Sequence, residues 1–152
     1  MIQGMIYDRT AQDVSRCKEL RNKLQKGEVL TEGEIALFER GSVTINTLNR
    51  IEYAQGFIKA TLKSMGYYAS SVVNKGWFDG DIFFEADLKR IVDNTKALRS
   101  AFFDFASTPS NPREEYHFRE FNHIEKILDD INTMIPLVQS LYRECGTIES
   151  GE

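Results

Sequence analysis

The longest apolar pattern of the chain lies in its last third and constrains the fold more than any other feature. Apolar side chains recur there at alternating steps of three and four residues, at Phe121, Ile124, Leu128, Ile131, Ile135, Val138, Tyr142 and Cys145. This spacing places them on one face of an α-helix and is typical of a bundle or coiled-coil seam. It predicts a long last helix, from about Glu114 to Cys145, with a bend at Pro136, which lacks the amide hydrogen for a helical hydrogen bond.

The first third of the chain predicts two shorter helices. The first follows a capping stretch at residues 8–10 and carries an apolar stripe. The second begins at Thr31 and Glu34, which have the spacing of a capping box. Its apolar residues, Ile35 and Phe38, are expected to face inward.

The middle of the chain predicts two longer helices on either side of an irregular segment, residues 67–84. The third helix extends from about Thr44 to Met65 and contains Gly56, which we expect to let a neighbouring helix approach closely. The fourth carries an apolar stripe that ends at Phe105.

The predicted fold class is all-α. No alternation of apolar and polar residues extends far enough to predict a strand, and 152 residues suit one domain. We therefore expect an antiparallel helical bundle of about five helices over residues 1–145, with a long C-terminal helix, followed by an extended tail over residues 146–152.

The net charge and the cysteine content argue against several classes of function. A net charge of −4 argues against direct binding of nucleic acid through a basic field, and no stretch has the roughly 18 consecutive apolar residues of a membrane span. Cys17 and Cys145 are too few for a disulfide framework, so we interpret them as reduced core thiols of a protein made in the cytoplasm. No cofactor is predicted.

One acidic motif raises the question of a metal or phosphate site. Asp79-Gly80-Asp81 is followed by Phe83 and Phe84, where a calcium loop would supply further oxygen ligands. The motif therefore predicts a turn whose aspartates bond nearby backbone. The apolar residues around it are expected to seal one end of the bundle, with Trp77 at least partly buried; they are Trp77, Phe78, Ile82, Phe83 and Phe84.

Two Glu-x-x-His motifs have the ligand spacing of metal-binding four-helix bundles. They are formed by Glu114 and His117 and by Glu120 and His123. The two histidines are six residues apart on one helix, about 240° around its axis, so they cannot share a metal. A site completed by a second subunit or by Cys145 stays open, but we expect no bound metal.

No arrangement of residues predicts catalysis. Neither cysteine has a neighbouring histidine in the sequence, and no serine has the context of a nucleophile elbow. The pattern therefore predicts a helical bundle that is not an enzyme.

Five stretches in order resemble a helical module of virion structural proteins from phages and prophages of Gram-positive bacteria. They are "YDRTAQDVSRCKEL", "TLNRIEYAQGFIKATLKSMGY", "WFDGDIFFEADLKRIVDNTKALRSAF", "FNHIEKILDDI" and "GTIESGE". The resemblance covers nearly the whole chain and rests on the order of the stretches rather than on any one of them. It implies a component of the phage tail, baseplate or neck, located in the virion, with other virion proteins or further copies of itself as partners and no catalytic residues.

A second function stays open beside the first. Small acidic helical proteins can occupy a nucleic-acid channel, so the chain could instead be a soluble phage-encoded inhibitor of a host defence nuclease, similar to an anti-CRISPR protein, with that nuclease as its partner. The feature that favours this alternative is a row of carboxylates at Glu114, Glu115, Glu120, Glu125, Asp129 and Asp130.

The length of the last helix predicts where a partner binds. About 32 residues extend roughly 48 Å, whereas the third and fourth helices, with about 20 residues each, extend around 30 Å. Either Pro136 folds the end back onto the bundle, or the end projects with an apolar face that marks an interface. We expect self-association or binding to a neighbouring virion protein through residues 135–148, with Val138, Leu141, Tyr142 and Ile148 as the partner-binding residues.

Overall fold

The computed structural model of the chain contains five α-helices. It describes residue 2 and residues 4–70, 72–104 and 108–149, and of residues 143–149 it describes the backbone alone. The helices are α1 (Ala11–Gln25), α2 (Glu32–Gly41), α3 (Ile45–Ser64), α4 (Glu85–Ala101) and α5 (Phe118–Glu149). No strand occurs within these described ranges, so the predicted all-α bundle with a long last helix is confirmed.

The core lies between α3, α4 and α5, which pack against one another, whereas α1 packs mainly against α2. The three longer helices each contribute an apolar stripe because their apolar residues recur every three or four positions. The largest fully buried side chains of this core are Ile51, Ile58, Leu62, Ile91, Leu98, Phe121, Ile124, Ile127, Leu128 and Ile131. One polar pair lies among them: the Gln55 amide donates to the Thr95 hydroxyl (3.0 Å) and to the Ile91 carbonyl (2.9 Å), which satisfies it.

The N-terminal ends of the first three helices follow the local sequence. Thr10 caps α1 together with Asp13, and Thr31 caps α2 together with Glu34, each pair forming a capping box. The side chain of Thr44 caps α3. In each box the threonine hydroxyl accepts from the amide three residues further on, and the carboxylate at that position accepts from the amide of the threonine, so the pair satisfies two free amides. The predicted starts of α2 and α3 are confirmed.

Three predicted helix ends are wrong. The helix α4 ends at Ala101 because Phe102 leaves the helical conformation; Phe105, where we expected the end, lies outside the described residues. The helix α5 starts at Phe118 rather than Glu114, since the Glu120 carboxylate accepts a hydrogen bond (2.7 Å) from the amide of Arg113 upstream.

The C-terminal end of α5 is also corrected. The helix continues past Cys145 to Glu149 and remains one helix through Pro136. Residues 146–149 are therefore helical rather than part of an extended tail, and residues 150–152 lie outside the described part of the chain.

The second helix buries no side chain fully, so the prediction that Ile35 faces inward is wrong. Ile35 is 47% exposed. The reason is that α2 packs mainly on α1 and lies outside the core between the three longer helices. Periodicity alone could not reveal how few neighbours the helix has.

Two glycines mark the closest approaches of the chain. A Cβ on Gly41 would lie 2.2 Å from the carbonyl oxygen of Asp13 and 2.6 Å from Cβ of Cys17, so α2 crosses α1 at a distance that only glycine permits. A Cβ on Gly56 would lie 2.9 Å from the side chain of Asn74. The neighbour of Gly56 is therefore the segment before Trp77 and not a helix, as we had expected.

The Gly41 contact leads to a paired test. Replacing Gly41 with Ala should destabilise the protein by about 1–3 kcal/mol, because the added methyl group meets backbone that cannot move freely. Gly33→Ala, in the same helix, has open space around the new methyl group and should stabilise the protein by up to about 1 kcal/mol through helix propensity. Urea denaturation of both variants measures the difference, and effects of the same sign would contradict the close crossing of α1 and α2.

Candidate functional site

A fully buried carboxylate on α5 joins three separate parts of the chain. Glu125 is 0% exposed. It accepts hydrogen bonds from the Ile6 amide (2.7 Å) and from the guanidinium groups of Arg9 (2.6 Å) and Arg50 (3.0 and 3.1 Å). A buried charge needs such partners to offset the loss of its hydration. Glu125 therefore holds the segment before α1 and the middle of α3 on α5.

The Arg9 side chain extends this network to α2. Besides Glu125, its guanidinium donates to the carbonyl of Arg40 at 3.1 Å. Asn122 bonds the backbone of Arg9 in both directions: its amide oxygen accepts from the Arg9 amide (3.2 Å), and its amide nitrogen donates to the Arg9 carbonyl (2.9 Å). The stretch before α1 is thus bound to α5 although it has no regular structure.

A second buried carboxylate, Glu52 on α3, fixes the Trp77 segment. It accepts from the Trp77 indole N–H, from the Lys75 amide (2.9 Å) and from the Arg90 guanidinium. Asn49, one turn away, bonds both the amide (2.9 Å) and the carbonyl (3.0 Å) of Trp77. Trp77 is 3% exposed, so the prediction that it is buried is confirmed.

The charge of Arg90 is stabilised in this second network. Burial alone would lower the pKa of its guanidinium, but the hydrogen bond and charge of Glu52, helped by Asp87, raise that pKa above the ordinary value. Arg90 therefore remains protonated beside Glu52.

The two networks connect four stretches that are far apart in the chain. The residues in question are Arg9 of the first stretch, Asn49, Arg50 and Glu52 of the second, Trp77 and Arg90 of the third, and Asn122 and Glu125 of the fourth. Their polar groups bond one another in the interior. These side chains hold separate parts of the fold together.

The Asp79-Gly80-Asp81 motif forms a turn. The carboxylate of Asp81 accepts from the Phe78 amide (2.9 Å), its own amide donates to the Phe78 carbonyl (3.0 Å), and Gly80 has a positive φ of 93°. This agrees with the predicted turn, in which an aspartate bonds nearby backbone.

Only part of the predicted aromatic plug faces inward. Phe83 packs between Trp77 (5.8 Å between ring centroids) and Phe121 (6.5 Å). The other three apolar side chains of this segment, Phe78, Ile82 and Phe84, are mostly exposed. They lie in or beside the turn, whose conformation is set by the Asp81 carboxylate, and the prediction that they seal the bundle is wrong.

The Glu-x-x-His motifs do not converge on a metal site. Glu114 pairs with Lys89 (3.3 Å), and Nδ1 of His117 accepts from the Arg119 amide (3.2 Å). Nδ1 of His123 is buried without a hydrogen-bond partner, 4.0 Å from a carboxylate oxygen of Glu120. Across the described residues, no group of three or more His, Cys, Asp or Glu side chains could hold a metal ion, and the side chain of Cys145 lies outside them.

The predicted partner-binding residues separate into two kinds. Val138 is 7% exposed because it continues the buried face of α5 one turn beyond Ile135, so its assignment to an exposed face is wrong. Leu141 and Tyr142 are more than half exposed. The side chain of Ile148 lies outside the described residues, although its backbone is helical.

Further apolar side chains that the sequence did not indicate lie near the exposed end of α5. The Tyr142 hydroxyl is hydrogen-bonded to that of Tyr67, and this bond raises the pKa of Tyr67. The Tyr67 ring contacts Phe103 (6.0 Å), which is exposed because α4 ends early. With Leu137, these side chains form what we call the distal surface: Tyr67, Phe103, Leu137, Leu141 and Tyr142. The sequence predicted Leu141 and Tyr142 of this surface, but not Tyr67, Phe103 or Leu137.

A groove that the sequence did not predict lies between α1 and the start of α5. This α1–α5 groove has a volume of about 510 Å³ and is lined by side chains that include Val14, Cys17, Lys18, Arg21, His117 and Phe121. Cys17 is almost fully buried, and no hydrogen bond joins it to His117 within the described part of the chain. The pair is therefore not arranged as a nucleophile and its base.

Comparison of the chain with models of protein families, with curated proteins and with solved structures finds no match. Among the described residues, none of the helices has the length and apolar content needed to cross a membrane.

The buried Glu125 network leads to a stability prediction. Glu125→Gln removes the negative charge and leaves two guanidinium groups without their partner, which should cost about 3–5 kcal/mol of unfolding free energy. Glu115→Gln is the matched control, because that side chain is 60% exposed and its change should stay within about 0.5 kcal/mol. Equal urea midpoints for the two variants would contradict the structural role of Glu125.

A second test separates the two kinds of aromatic residue beside the turn. Trp77→Ala should cost about 3–5 kcal/mol, since it removes a packed ring and one donor to Glu52. Phe78→Ala, at the adjacent exposed position, should change stability by no more than about 0.5 kcal/mol. Thermal and urea denaturation measure both. If Trp77→Ala unfolds like the parent protein, the ring does not support the bundle.

Proposed function

We propose that this chain is a structural component of a phage particle, in the tail, baseplate or neck, and that it acts through protein–protein contacts made by the distal surface. The observation that carries the proposal is the end of α5. Within its described side chains, the helix buries none after Val138, yet it continues to Glu149. Eleven residues of helix, about 16 Å, thus extend with exposed Leu141 and Tyr142 along them.

The apolar character of this end supports binding to a protein. Contiguous exposed apolar and aromatic side chains mark interfaces in proteins that assemble, and tyrosine is enriched there because it combines a large ring with a polar group. The distal surface contains two tyrosines, one phenylalanine and two leucines. The resemblance to virion proteins supplies the kind of partner: other virion proteins or further copies of the same chain.

The alternative, an inhibitor of a host nuclease, loses the feature that favoured it. Glu125 is fully buried and Glu120 is 9% exposed, so the predicted row of carboxylates is interrupted at its centre. Asp130 is paired with Lys126 and accepts from the Thr108 hydroxyl. An acidic surface that replaced nucleic acid would need these groups exposed and unpaired. We therefore do not propose this function.

Incorporation into particles tests the proposal. Leu141→Glu with Tyr142→Glu should abolish or strongly reduce the amount of this protein in gradient-purified particles, because two charges would be buried at the contact. Val138 is left unchanged, since a charge at that buried position would unfold the helix end. The helical circular dichroism of the purified variant should match that of the parent.

A matched control places the same two charges elsewhere. Val29→Glu with Tyr53→Glu alters side chains that are 89% and 65% exposed and lie outside the distal surface, and it should leave incorporation unchanged. Absence of the parent protein from purified particles would refute the virion role. Normal incorporation of the Leu141/Tyr142 variant would mean that the contact with the particle is not made by this part of α5.

A further inference from the structure

The charged side chains that line the α1–α5 groove are all basic. The ionisable side chains around it are basic or neutral, with Lys18 and Arg21 exposed on α1 and His117 exposed at the start of α5. None of its lining residues is Asp or Glu, although the chain as a whole has more acidic than basic residues. Beneath these groups the lining is apolar, with Val14, Val43 and Phe121. Such a groove suits an acidic segment that also carries an apolar side chain.

The size of the groove fits a short peptide segment. Its volume of about 510 Å³ lies within the range of sites that bind ligands or several side chains. The charge of Arg9, which also lines it, is already paired with Glu125. The rim charges of Lys18 and Arg21 have no such buried partner: of the described residues, neither forms an ion pair within 4.0 Å.

A segment of this chemistry is present in the chain itself. Residues 144–152 contain Glu144, Glu149 and Glu152, no lysine or arginine, and the apolar Ile148. They continue the helix beyond the distal surface as far as Glu149. Both the sign of charge and the presence of one apolar side chain match the groove.

The segment cannot reach the groove of its own chain. The groove lies at the start of α5, and Ile148 is 30 residues further along the same continuous helix, about 45 Å away at 1.5 Å per residue. We propose that the α1–α5 groove binds residues 144–152 of a second copy of this chain. The inference rests on the proposed structural function and names its partner.

The contact is head-to-tail: one end of a copy binds the opposite end of the next. An interface of this kind is heterologous, so it repeats and produces a ring or an open filament instead of a symmetric dimer. The distal surface adjoins the segment on α5 and lies beside the same contact.

Mixing of two complementary variants tests this arrangement in solution. The groove variant, Lys18→Glu with Arg21→Glu, keeps its C-terminal segment; the segment variant, Glu144→Lys with Glu149→Lys, keeps its groove. Each alone should sediment as a monomer at concentrations at which the parent forms larger species. Their mixture should again form larger species, because the acidic segment of the first variant binds the basic groove of the second, and the basic segment of the second binds the acidic groove of the first.

A chain that carries all four changes should regain self-association, since the charges are reversed on both sides of the contact. Lys26→Glu with Lys63→Glu, two exposed lysines outside the groove lining, is the charge-matched control and should self-associate like the parent. A monomeric parent, or a mixture that remains monomeric, would overturn the inference.

A labelled, amidated peptide of residues 139–152 with Cys145→Ser distinguishes this contact from simple attraction between charges. It should bind the full-length segment variant, and the groove variant should bind it at least about tenfold more weakly. The same peptide with Ile148→Asp should bind weakly. If it binds equally well, or if inorganic phosphate displaces the parent peptide, the groove is an anion site and the inference is wrong. These outcomes leave incorporation into particles, and thus the proposed function, separately testable.

Discussion

The interaction on which the rest of the structure depends is the buried pairing of Glu125 with Arg9 and Arg50. An ionised carboxylate inside a protein is tolerated only when its lost hydration is replaced by hydrogen bonds and opposite charge. Glu125 has four such bonds, one of them from a backbone amide. Because the donors come from the segment before α1 and from α3, the network can form only when these parts and α5 are correctly placed.

The second network, around Glu52, acts in the same way on the other side of α3. It binds the irregular Trp77 segment to α3 and α4 through the indole N–H of Trp77 and through Arg90. A loop without helical hydrogen bonds gains a defined conformation from such contacts. Buried ion pairs contribute less to stability than apolar packing of the same volume. Their effect here is to specify one arrangement of the segments that they join.

Local sequence was sufficient to predict the five helices. It was insufficient to predict most of the contacts between them and the surfaces that these contacts form. Periodicity and capping residues are properties of short segments, so the capping box at Thr31 and the seam from Phe121 could be predicted. The burial of Val138 and the exposure of Ile35 depend on which helices are neighbours. The groove and the distal surface form where segments that are distant in sequence pack together. A short sequence pattern cannot predict such packing. The buried roles of Glu52 and Glu125 were also hidden, because a charged residue within an apolar pattern is usually solvated.

The direction of α5 decides what kind of assembly a head-to-tail contact produces. Successive copies of a heterologous contact close into a ring only when the rotation between them divides a full turn, and otherwise continue as a filament. The groove lies at the start of α5, while the segment that we propose binds it lies beyond Pro136 near the other end of the helix. Proline removes one helical hydrogen bond and bends a helix at its position. In the proposed contact, the angle between successive copies would therefore depend on the course of α5 between the groove and the segment, including its geometry at Pro136.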